Sequence, residues 1–136
     1  MIEVGSGPIS PERVIDSVRN QRSGCVVTYV GLIRGSSHGK AVSGVEYQDL
    51  SGNAASVLRD ISDEAKRRWP VEGIAISHRS AKLEVGDINL VVAVSSAHRR
   101  EGFAACRYVI DQFKRRLPTR KIETYTDGGT VVQDPG

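Results

Sequence analysis

The segment Cys25 to Ile33, CVVTYVGLI, constrains the fold most: nine residues without a charge, rich in β-branched and aromatic side chains. It reads as a strand buried on both faces, broken off at Arg34 and Gly35. The polar stretch from Gly35 to Lys40 then reads as a mobile loop. Val42 to Gln48, Gly73 to Arg79 and Ile88 to Ser96 are further strands, the last two joined into a hairpin by a turn around Val85, Gly86 and Asp87. Short strands at Lys121 to Tyr125 and Thr130 to Gln133 flank an Asp127-Gly128-Gly129 turn.

Helical periodicity separates these strands. Ser10 followed by Pro11 and Glu12 is a helix start, with Val14, Ile15 and Val18 as its apolar stripe. Ala54, Val57, Leu58, Ile61, Ala65 and Trp69 define a second helix that Pro70 stops. Phe103, Cys106, Ile110, Phe113 and Leu117 define a third, from about Gly102 to Pro118. The order β-α-β-β-α-β-β-α-β-β implies an α+β fold, a mainly antiparallel sheet covered by helices. No repeat or linker divides the chain, so residues 1–136 are expected to form one domain.

Composition narrows the function classes. With 39% hydrophobic and 26% charged residues the chain has the make-up of a globular protein. No apolar run reaches the roughly 18 residues of a membrane helix, and Met1 to Gly7 lacks the pattern of a signal peptide, so a cytoplasmic protein without a membrane partner is expected. Cys25 and Cys106 sit among apolar neighbours at no metal-knuckle or redox-pair spacing, and both read as reduced core residues. The net charge of +3 is uneven: His98 to Lys121 carries +6 and the rest of the chain −3. That asymmetry suits a small anionic ligand; a solvated basic helix face is the plain alternative.

Three places can carry chemistry. His98-Arg99-Arg100 lies between a strand and a helix start, where the positive end of the helix dipole disfavours bases unless an anion binds between them and the free N–H groups. Lys114, in the last turn of that helix, and Lys121, beyond Pro118, converge across a turn. A lysine in a partly desolvated, cationic neighbourhood is suited to proton transfer or covalent chemistry, although a lysine at a helix C-terminus is also a plain dipole partner. Arg34, at a strand end between Gly31 and Gly35, can fork onto a phosphate or simply emerge into solvent. His78, beside Arg79 at a strand end, reads as a satisfied structural group. Walker and dinucleotide fingerprints and metal-ligand spacings are lacking, and 5% aromatic residues supply no stacking platform for nucleic acid.

Taken in order, Val26 to Arg34 (VVTYVGLIR), Val45-Glu46-Tyr47, Ala65 to Pro70 (AKRRWP), His78-Arg79 with Leu83 and Gly86-Asp87, Ser96-Ala97-His98-Arg99 and Lys114 through Pro118 to Lys121 resemble the large, catalytic subunit of molybdopterin synthase, over roughly Gly24 to Gly129. The resemblance implies an α/β hammerhead-type fold and a homodimer of large subunits within a heterotetramer. A small ubiquitin-like sulfur-carrier subunit would insert its C-terminal Gly-Gly thiocarboxylate. Sulfur would pass to cyclic pyranopterin monophosphate, making the dithiolene of molybdopterin, with no resident cofactor or metal.

Residue by residue, the resemblance makes Lys114 the principal catalytic lysine, acting as acid/base or through a transient covalent link. Lys121 becomes the second lysine of the site. His98 and Arg99 become a substrate-binding pair contributed across the dimer interface, and Arg34 the arginine meeting the pterin phosphate. The chain departs from the family pattern at Thr119 and Arg120, where many members carry an aromatic residue, and at Leu32, where some carry a base. Two other classes stand beside this one: a partner-binding paralogue without turnover, and a basic nucleic-acid-binding domain whose affinity would fall steeply with salt.

Overall fold

A computed structural model describes residues 1–136. The strand preceding the first helix is β1 (Ile2–Gly5), and α1 (Pro11–Val18) follows, with the Ser10 hydroxyl accepting from the Arg13 N–H as its N-cap. The chain continues through β2 (Cys25–Leu32), β3 (Ser36–Ser37), β4 (Lys40–Gln48), α2 (Ala54–Arg68), β5 (Gly73–Arg79), β6 (Lys82–Leu83), β7 (Ile88–Ser96), α3 (Arg99–Arg115), β8 (Arg120–Tyr125) and β9 (Thr130–Gln133).

Two sheets result. The first has the order β1-β5-β7-β2, antiparallel except for the parallel β1–β5 pair. The second runs β3-β4-β8-β9, entirely antiparallel, with β6 also paired to β4. The fold is therefore α+β.

Period-two alternation distributes the core of the first sheet. Ala75, Val91 and Ala93 face α1 with Val14 and Val18, while Ile74, Ile76, Val92 and Val94 share a core with Leu58, Ile61 and Ala65 of α2 and Ala105, Cys106 and Val109 of α3. Each fully buried Leu or Ile here contributes roughly 1.5–3 kcal/mol. The larger core continues through Ile33, Leu90, Phe113 and Leu117 to Val42, Val45, Tyr47, Leu83 and Tyr125 of the second sheet.

Five sequence-based expectations need correction. First, β2 is not buried on both faces: it is an edge strand, mostly half-buried, with Val30 and Leu32 exposed at 40% and 58%. The strand buried on both faces is β7, enclosed by β5, β2 and helices on either side. Second, the stretch read as a loop forms a short hairpin, with Ser36 opposite Ala41 and Ser37 opposite Lys40. Third, α3 starts at Arg99 and ends at Arg115, so His98 is its N-cap and Arg99 and Arg100 lie inside its first turn. Fourth, Phe103 is 61% exposed, although it keeps the helical spacing. Fifth, of the two cysteines only Cys106 is buried in the core, because Cys25 begins the edge strand and is half-buried.

Candidate functional site

The two sheets and the C-terminal end of α3 enclose a cleft of about 810 Å³. Arg34 reaches it from the end of β2, Lys114 from the last turn of α3 and Lys121 from β8. These three residues, separate in sequence, are brought together. A bulge between Gly31 and Leu32 in the β2–β7 register lies three residues before Arg34 and turns the strand end. Gly31 allows this close approach: a Cβ there would sit 2.9 Å from Asn89 Oδ1 and 3.1 Å from the Tyr29 ring.

The wall behind the cations is a buried polar network. Asn89 Nδ2 donates to the Tyr47 hydroxyl at 3.2 Å, and burial pushes the Tyr47 phenol up to about 12, so it stays protonated at neutral pH. His78 lies behind them, with Nδ1 2.9 Å from the Asn89 carbonyl and Nε2 2.9 Å from Thr119 Oγ1. A carbonyl only accepts, so Nδ1 carries the proton and Nε2 accepts from the Thr119 hydroxyl. Burial lowers the His78 pKa to about 4 despite its hydrogen bond to the Asn89 carbonyl, which keeps the ring neutral. Its edges meet the Tyr47 and Phe113 rings at centroid distances of 4.9 and 5.0 Å. The structural reading of His78 holds.

Glu123 is a charged cleft residue that sequence reasoning missed. Its Oε2 is 3.6 Å from Lys121 Nζ, and its Oε1 accepts from the Tyr125 hydroxyl at 2.6 Å. Burial works to raise its pKa, but the hydroxyls of Tyr125 and Ser37 and the charges of Lys121 and His38 outweigh it and hold the carboxyl below its ordinary value. The neighbourhood of Lys121 is thus not purely cationic. The signal was present in the sequence: Lys121, Glu123 and Tyr125 alternate along one strand and must share a face.

His98 and Arg99 do not line this cleft. They stand exposed at the N-terminal end of α3, and the fifteen positions to Lys114 correspond to roughly 22 Å of helix. The +6 segment is therefore divided. Arg107, Arg116, Arg120 and Lys121 pair with Asp111, Glu64, Asp134 and Glu123. Arg99 and Arg100 at one end of α3, and Lys114 and Arg115 at the other, have no carboxylate partner. Two free cationic ends remain, one at the cleft and one remote from it.

Fold and cleft together define a class: an α+β protein with a cleft lined by two lysines and an arginine. The sequence pattern of the MoaE protein family matches residues 4–116. A molybdopterin synthase catalytic subunit from Halalkalibacterium halodurans is 35% identical over 127 residues, covering 93% of this chain and 81% of that protein. The X-ray structure of molybdopterin synthase from Staphylococcus aureus superposes with a TM-score of 0.89 at 32% identity, covering 97% of this chain and 96% of that one. A complex of subunits 1 and 2 of the molybdopterin-converting factor from Helicobacter pylori shares the fold at a TM-score of 0.74 and 12% identity, covering 96% and 89% of the two chains. The chain belongs to the MoaE family, and relatives 32–37% identical to it over most of its length are named molybdopterin synthase catalytic subunits.

Proposed function

We propose that this chain is the catalytic subunit of a cytoplasmic molybdopterin synthase, transferring sulfur from the thiocarboxylated C-terminus of a small ubiquitin-like subunit to cyclic pyranopterin monophosphate. The observation that carries the reading is the convergence of Arg34, Lys114 and Lys121 on one cleft from three separate elements. A thiocarboxylate and a phosphorylated pterin are both anions. At about 4 Å they repel by roughly 4 kcal/mol in a partly screened protein environment. Fixed cations offset that repulsion and hold the two anions together in the cleft.

Within this reading Lys114, exposed at the helix end, is the acid/base or transient covalent group; Lys121, held by Glu123, orients the substrate, and Arg34 takes the phosphate. His98 and Arg99 belong to the neighbouring cleft of a second copy, a homodimer inside a heterotetramer, because roughly 22 Å of helix keeps them from their own. Of the departures from the family pattern, Thr119 is buried behind the cleft against His78 and Arg120 points to Asp134, so neither lines the cleft, whereas Leu32 does.

Reconstitution tests the proposal. The purified chain, a thiocarboxylated small subunit and the pterin should yield dithiolene product, and Lys114→Ala should reduce it by at least about a hundredfold with partner binding retained. Complex formation without product in the unsubstituted protein would leave a partner-binding paralogue.

A further inference from the structure

His38 stands at the tip of the β3–β4 hairpin with φ +52°, the only non-glycine residue of the chain at positive φ, and Gly39 follows at +74°. Two successive left-handed residues make a type I′ turn, for which Asn-Gly is the favoured pair. A histidine there costs about 1 kcal/mol in backbone strain that Asn or Gly would largely avoid. Turn chemistry therefore does not explain the residue.

The surroundings of the turn do. Its base is fastened from the far side: Lys40 Nζ is 3.3 Å from Asp127 Oδ2 and 5.5 Å from the Tyr125 ring centroid, and the Thr126 N–H donates to the Ala41 carbonyl at 3.0 Å. The tip itself lines the cleft that holds Arg34, Lys114 and Lys121. Among the hydrogen bonds and ion pairs of the structure none uses either ring nitrogen of His38. A strained, uncommitted donor thus faces a cation-lined cleft, within electrostatic reach of Glu123.

We propose that His38 is a substrate-contacting residue, whose imidazole donates a hydrogen bond to an anionic oxygen of the ligand and makes the β3–β4 hairpin a wall selective for phosphate-bearing molecules. The identity of that ligand rests on the sulfur-transfer reading; its charge does not. His38→Asn is the informative variant because Asn suits the left-handed turn better, so the protein should melt at the same temperature or higher. Loss of the contact should weaken binding of inorganic phosphate, measured by titration calorimetry, by about tenfold, and raise KM for the pterin similarly with the loss falling on KM rather than kcat. Unchanged phosphate affinity and unchanged KM would overturn the inference, as would a native protein that binds no phosphate. A native protein without turnover, whose phosphate affinity still falls on His38→Asn, would sink the sulfur-transfer reading and leave this one standing.

Discussion

His78 shows what a single buried side chain does beneath this site. It is 1% exposed and neutral, and joins three pieces of chain: its own strand β5, β7 through the Asn89 carbonyl, and the α3–β8 connection through Thr119. Its folded pKa of about 4 lies below the ordinary value of 6.5, so the unfolded chain binds the extra proton more readily. The stability this represents is complete above pH 6.5 and is lost as pH falls towards 4. Between pH 7 and pH 5, above the range where carboxylates titrate, the loss should reach about 2 kcal/mol. Urea midpoints at the two pH values check this, and a flat profile would show that the ring accepts a proton without disturbing its neighbours. The residue scale was also the least legible in sequence. A histidine at a strand end says nothing of its partners, which lie 11 and 41 positions away.

At the scale of elements, the connection from α3 to β8 sets the relation between Lys114 and Lys121. Pro118 and Thr119 are buried in it, and the Thr119 hydroxyl is its only side-chain hydrogen bond to the first sheet. Thr119→Val keeps the shape and leaves His78 Nε2 without a partner. That should cost about 1–3 kcal/mol and lower turnover, whereas Thr119→Ser should restore both; calorimetric melting and initial rates are the measurements. Strand and helix existence was readable because apolar spacing survives in every long element, as in Leu58, Ile61 and Ala65 of α2. What spacing did not reveal was neighbours. The run CVVTYVGLI has the composition of a central strand, yet it lies at an edge, and Phe103 keeps helical spacing while facing solvent. Both outcomes depend on what packs alongside, which a local pattern does not contain.

For the whole molecule, the decisive feature is that α3 carries one cationic group at each end. If His98 and Arg99 serve the cleft of a second copy, Arg99→Ala and Lys114→Ala chains should each be inactive alone and complement one another when co-expressed. Random pairing leaves about a quarter of the clefts intact, so product formation near that fraction of the native rate is expected. Two inactive variants that stay inactive together would place the whole site in one chain. The sequence by itself determined the α+β class, the three helices and the two lysines either side of Pro118, since each follows from spacing along the chain and the hydrogen-bonding needs of its backbone. Only the tertiary structure decided that Arg34 joins those lysines, that His38 shares their cleft, and that His98 and Arg99 lie elsewhere. The reason is physical: which strand ends meet is settled by sheet order and register, and these depend on packing between segments tens of residues apart.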